Sequence, residues 1–196
     1  MVFDVGQVLV QWDSLRLCRE QFRDEERARA INAAIFSHDD WQRLDEGVMD
    51  EEEANGRFAK RTGLSLEEVR QLILSSKVSL VPIPESIALL DELFHSGVHL
   101  YALTNMARGT FEFIRPRQAF WEHFRGIVVS SYLRTLKPRP EIFERLISTY
   151  KLTPGETVFL DDNATNVEGA RAAGLQAIQF QDAAQARRDL ATLVTT

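Results

Sequence analysis

Asp4 closes the apolar run Met1-Val2-Phe3, and a second run, Val158-Phe159-Leu160, ends in the adjacent pair Asp161-Asp162. Carboxylates at strand ends can attack an electrophile or hold a hard cation. Two more apolar runs lead to reactive groups: Thr104-Asn105 follows Leu103, and Lys137-Pro138 stands in the loop beyond Val128-Val129. A nucleophile, a small donor, a cation and an acidic pair thus occur at successive strand ends, where open parallel sheets bind their ligands. Each residue alone has a plain structural use, because Asp and Asn cap helices and Thr and Lys are common in loops. All four in that order are much harder to produce by chance. Gly6, two residues after Asp4, offers no side chain where a further carboxylate could have stood.

The elements that must position these residues can be read from periodicity. Apolar runs at 99–103, 126–130, 157–160 and 176–180 read as buried parallel strands. Amphipathic stretches at 85–95, 110–115, 140–150 and 164–173 read as helices between them, the last ended by Gly174. This alternation predicts an α/β fold, a doubly wound parallel sheet. Residues 14–81 differ, with high charge density and no strand-like run. Helical patterns cover 14–23, 25–36, 39–46, 50–62 and 66–77, with Asp50 as a cap and Ser65 and Glu68 as a capping box. The expected organisation is a core of 1–13 and 82–196 with an all-helical domain, 14–81, inserted after the first strand; Pro82-Ile83-Pro84 marks the return. The run before Asp4 is short against the usual five or six residues, so a truncated amino terminus is expected.

Composition narrows the function classes. The net charge of −6 argues against nucleic acid or an anionic membrane as partner, since either calls for a basic stripe. Cys18 is the only cysteine, so no intramolecular disulfide can form and a cytoplasmic protein is expected. Of the four histidines only His95 and His99 are closely spaced, and they lie across a turn-like Ser96-Gly97 rather than on one face. No run approaches the ~18 apolar residues of a membrane span.

Val2-Phe3-Asp4-Val5-Gly6-Gln7-Val8-Leu9, Leu103-Thr104-Asn105, Leu136-Lys137-Pro138 with Arg139 to Phe143, and Val158-Phe159-Leu160-Asp161-Asp162-Asn163 together resemble the four motifs of the haloacid dehalogenase superfamily. Order and spacing match over nearly the whole chain, with a Rossmann-like core, and the insert resembles that family's helical cap of the first class. The resemblance implies that Asp4 attacks phosphorus and forms an aspartyl-phosphate that water hydrolyses. It implies Mg2+ held by Asp4, the Gly6 carbonyl and Asp162, with Asp161 supporting beside them or behind them. Thr104 would donate to a phosphate oxygen, and Lys137 would neutralise charge on Asp4 and the phosphoryl group. A dianion repels a carboxylate, so such cations are needed to bring the two together.

Most phosphatases of the family carry a second aspartate where this chain has Gly6. That aspartate protonates the leaving alcohol, and its loss is worth roughly 10²–10⁴ in rate. Activity need not vanish, but acidic leaving groups, such as an anomeric sugar oxygen, or leaving groups protonated by the substrate or the cap are favoured. Two branches lack this residue: a bacterial α-D-glucose-1-phosphate phosphatase group, similar to this chain in following Asp-x-Gly with an amide and Val, and the metal-free 2-haloacid dehalogenases. Asp161-Asp162 favour Mg2+ and a small phosphoester, because paired carboxylates would repel a haloacid's own. A third possibility is a binding protein that keeps the fold without catalysis. Substrate contacts are expected from Asn105, Arg108, Trp41 and His38, with Trp12, Arg43 and Glu46 as further candidates. Trp41 also suits packing between cap helices. Trp121 reads as core packing and Arg139 as a loop-ordering or surface residue.

Overall fold

A strand buried on both faces belongs in the middle of a sheet. Val2 and Phe3, which form β1 (Val2–Phe3), are both fully buried. A computed structural model, describing residues 1–193, places β1 at the centre of five parallel strands. β2 (Leu100–Thr104) and β4 (Val158–Asp161) flank it; β3 (Phe124–Val129) lies beyond β2 and β5 (Gln176–Gln179) beyond β4. The predicted doubly wound α/β sheet is therefore the observed one, and its chain order reverses between β1 and β4. Residues 194–196 of the expected core lie outside the described residues.

Five helices occupy the insert: α1 (Ser14–Gln21), α2 (Glu25–Ile35), α3 (Asp39–Glu46), α4 (Glu51–Thr62) and α5 (Leu66–Val78). Their starts follow from side-chain caps. Asp13, Asp24 and Asp50 each accept a backbone N–H three residues on, and Ser65 with Glu68 forms the predicted capping box. Gly47 and Gly63 end α3 and α4 at φ 75° and 72°, a conformation that costs glycine little. Leu17, Ile31, Phe58 and Leu72 belong to an apolar cluster separate from those of the sheet, so the insert has its own core. This is the expected helical cap.

The sheet's two layers follow from the period of two along each strand. Phe3, Leu100, Ala102 and Leu160 pack with α6 (Pro84–His95) and, at Ala186 and Leu190, with a terminal helix. Val2, Tyr101, Leu103 and Phe159 pack on the opposite face. Between β2 and β4 lie α7 (Arg108–Ile114), α8 (Ser130–Leu133) and α9 (Pro140–Tyr150), and α10 (Ala164–Ala172) precedes β5. Each large side chain buried in these layers, Phe3 and Phe159 among them, contributes ~1.5–3 kcal/mol. Trp121 is fully buried in the first layer, as core packing requires.

Two local differences from the sequence reading have physical causes. Ser130, expected within a strand, opens α8, because its hydroxyl turns to the backbone of the cap rather than to a strand neighbour. The terminal helix α11 (Ala183–Leu193) was not anticipated; its buried positions are mostly alanine, too weakly apolar to stand out. Among the described residues no helix is long and apolar enough to cross a membrane.

Candidate active site

Strand register brings the acids together. Phe3 stands opposite Leu160 in the β1–β4 pair and opposite Ala102 in the β1–β2 pair. The next residues, Asp4 and Asp161, therefore leave the sheet side by side, with Thr104 at the adjacent end of β2. Lys137 Nζ lies 2.7 Å from Asp4 Oδ1 and 2.6 Å from Asp161 Oδ2, with its side chain almost wholly buried. Asn105 fixes that lysine from the backbone: its Nδ2 donates to the Lys137 carbonyl at 3.0 Å, and its Oδ1 accepts the Lys137 N–H at 2.8 Å.

Asp161 is fully buried, and both its oxygens are engaged. Oδ1 accepts the Asn163 N–H, Oδ2 accepts Lys137, and Asn166 Nδ2 donates to both. Asp162 is the more open acid, and no cation of the described residues pairs with it directly. Carboxylate oxygens of Asp4, Asp161 and Asp162 lie within 4.8 Å of one another. Three converging carboxylates with one ammonium among them leave negative charge uncompensated, and a hard divalent cation with oxygen ligands fits that set.

The electrostatics agree. Burial pushes the Asp4 carboxyl from 3.8 up to about 7; Lys137 pulls it back and Asp161 adds to the rise. Burial disfavours the Lys137 ammonium, but Asp4 and Asp161 more than offset this and raise its pKa. Burial and then Asp161 raise Asp162.

These groups open into a cavity of about 260 Å³ between the sheet and the cap. Asp4, Gly6, Thr104, Asn105, Lys137 and Asp162 line its floor, and Trp12 and Trp41 its roof. The two indoles stack at 5.8 Å with planes 16° apart. Trp41 also meets Phe36 at 4.8 Å and Phe58 at 6.4 Å, so it packs the cap and faces the cavity at once. Other expected contacts lie elsewhere. His38 caps α3, its Nδ1 accepting the Asp40 N–H, and it does not line the cavity. Arg108 stacks its guanidinium 4.9 Å from the Tyr132 ring and lines a different depression. Glu46 pairs with Arg139, which ties a core loop to the cap.

Two lining residues lacked a clear sequence signal. Gln7 occupies the left-handed region at φ 58° and accepts the Trp12 N–H, bracing the turn after Asp4. Asp45, on α3, is a cap acid that lines the cavity. It sits where the cap is fastened: Asp45 Oδ1 accepts the Ala107 N–H at 2.9 Å, and its backbone carbonyl accepts the Ser130 hydroxyl at 2.5 Å. Nearby, a Cβ on Gly47 would stand 2.2 Å from the Ser131 carbonyl oxygen. Gly47→Ala is therefore expected to lift α3 from α8 and lower kcat/KM by ~10², the cost of a displacement of about 1 Å at a reacting centre; steady-state kinetics would show it.

The fold and the strand-end site define a hydrolase. Residues 1–174 match the family described as haloacid dehalogenase-like hydrolase, and the chain belongs to that family. A sesquiterpene phosphatase of Aspergillus oryzae is 25% identical over 98% of this chain and 95% of its own length. D-ribitol-5-phosphate phosphatase of Bacteroides thetaiotaomicron is 24% identical, covering 100% of this chain and 98% of that protein. A family enzyme of the same bacterium, solved as a variant in complex with magnesium and inorganic phosphate, has a TM-score of 0.75 at 20% identity. That alignment covers 92% of this chain and 93% of that one.

Proposed function

We propose that this protein is a Mg2+-dependent phosphatase of small phosphomonoesters, working through an aspartyl-phosphate on Asp4. The observation that carries the reading is the Asp4–Lys137 pair facing a cavity beside Asp162, an acid that no cation among the described residues pairs with. Asp4, Asp162 and the Gly6 carbonyl would hold the metal, which supplies charge neutralisation for the phosphoryl group. Asp161 serves behind them by holding Lys137. Asp4 attacks phosphorus, the ester oxygen leaves, and water then cleaves the acyl phosphate. Thr104 donates to a phosphoryl oxygen, and Lys137 offsets charge on the phosphoryl group as it transfers. Asn105 acts by positioning Lys137.

The stacked Trp12 and Trp41 suit a ring-shaped leaving group, and a sugar 1-phosphate fits both that roof and the acidic anomeric oxygen favoured by Gly6. The cap, residues 14–81, would close over the substrate and exclude water. A cytoplasmic setting accords with the buried free thiol of Cys18.

A phosphate-release screen over sugar phosphates, nucleotides and p-nitrophenyl phosphate, with and without Mg2+, tests the reading. Release only with the metal, and no halide from 2-chloropropionate, is the expected result; halide release without metal would overturn it. Asp162→Ala is expected to raise the Mg2+ concentration for half-maximal rate by at least ~10-fold, within the 10–100-fold typical of weakened metal sites. A metal titration of the rate measures that shift.

A further inference from the structure

We propose that Asp45, reaching the cavity from α3 of the cap, is the general acid and base of this enzyme. The proposal rests on the phosphatase reading above and supplies the group that Gly6 lacks. Three observations carry it. Asp45 lines the same cavity as Asp4, Thr104 and Lys137, so it borders the chamber in which the ester must lie. A Cβ placed on Gly6 would meet nothing within 4 Å, so the core leaves space on that side of the nucleophile for a group from elsewhere. The carboxyl is also held in place, since Oδ1 accepts the Ala107 N–H. With Oδ1 occupied as an acceptor, the acid form carries its proton on Oδ2.

Charge favours that acid form. Burial pushes Asp45 from 3.8 up to about 8, against the opposing pull of the Ala107 and Trp41 hydrogen bonds. No cation pairs with it among the described residues. The charged groups sharing its cavity are Asp4, Asp162 and Lys137 of the core, and Lys137 is already bound to Asp4 and Asp161. On its own helix Glu46 is paired with Arg139, while α8 and the loop before α7 present only the Ser130 hydroxyl and the Ala107 N–H.

The step balances. As Asp4 bonds to phosphorus, the P–O ester bond breaks, its electron pair stays on the leaving oxygen, and that oxygen takes the proton of Asp45. In the second half, the Asp45 carboxylate takes a proton from water as the water oxygen attacks phosphorus. The bond from phosphorus to Asp4 then breaks, which returns the Asp4 carboxylate and the Asp45 acid and releases inorganic phosphate.

Asp45→Asn tests the assignment, because the amide oxygen can still accept from Ala107 and so keep the cap docked. Rates with Mg2+ would be measured for wild type and variant over a series of phosphate esters, from p-nitrophenyl phosphate to alkyl phosphates. The expected loss is roughly 10²–10⁴ for alkyl esters, whose leaving oxygens need a proton. It shrinks steadily as the leaving group becomes more acidic. The high-pH limb of the wild-type alkyl-ester profile, expected near 8, should vanish in the variant. An equal loss across the series, or no loss, would overturn the proposal and leave Asp45 as a cap fastener only. Absence of phosphate release by the wild type from every ester would instead overturn the phosphatase reading.

Discussion

Asp4→Asn is expected to take phosphate release down by roughly 10⁶, the scale seen when the nucleophile of a covalent mechanism is removed, while the fold stays intact. The amide cannot form the acyl phosphate, yet it keeps the size of the carboxyl. Lys137 retains its 2.6 Å contact with Asp161, so no buried ammonium is left without a partner. The variant should even gain stability at neutral pH in the absence of divalent cations. Burial raises Asp4 from 3.8 to about 7, so between those values the folded protein holds a proton that the unfolded chain has released. Wild-type stability contributed at this site is thus full below about 3.8 and falls as pH rises toward 7. Asparagine has no such proton, and the gain is bounded at ~4 kcal/mol, three pKa units at 1.36 kcal/mol each. Circular dichroism melts at pH 5 and 7.5, beside phosphate-release assays, check both halves. Appreciable hydrolysis by the variant would rule out covalent catalysis on Asp4.

Lys137→Ala carries the second large effect, and here stability and activity should fall together. The ammonium is the direct cationic partner of two buried carboxylates, Asp4 and Asp161. Removing one partner of a buried ion pair costs about 3–5 kcal/mol, since the remaining charge has neither water nor counter-ion. The lost aliphatic stem adds a cavity against Phe159, whose ring lies 5.4 Å from Nζ. Without Lys137 the Asp4 carboxyl loses the charge that pulls it down, and burial and Asp161 push it further above its unfolded value, so the folded variant retains a proton that the unfolded chain gives up. It should be most stable near pH 4 and lose stability toward pH 7, by thermal melting in metal-free buffer. Activity should fall to background even with Mg2+, because neither the nucleophile nor the phosphoryl group keeps its fixed cation.

The groups most legible in the sequence were those tied to strand ends. Asp4, Thr104, Lys137 and the Asp161-Asp162 pair stand at or just beyond apolar runs, and a parallel sheet must gather such positions at one edge. Register then decides their roles, which the linear sequence does not encode. Asp161 and Asp162 are neighbours in the chain, yet one is sealed under Lys137 and Asn166 while the other faces the cavity. Asn105 followed the same logic to the right place, but its amide is used on the Lys137 backbone. The cap was harder to read. Residue type alone points to His38 and Trp41 as substrate contacts in the cap, and of the two only Trp41 lines the cavity, because helix rotation and docking angle choose which faces turn inward.

Sequence by itself determined the α/β class, the helical insert, the strand-end residues and the absence of a side chain at position 6. These depend on short-range periodicity, on caps and on the alternation of strand and helix, all local in the chain. Tertiary structure alone decided that Lys137 bridges Asp4 and Asp161, that Asp162 has no cationic partner among the described residues, and that Asp45 lines the cavity from the cap. Each of those facts depends on contacts between residues far apart in the chain, Asp45 with Ala107 and Ser130 above all. Such contacts are fixed only when the cap core and the sheet layers have both packed.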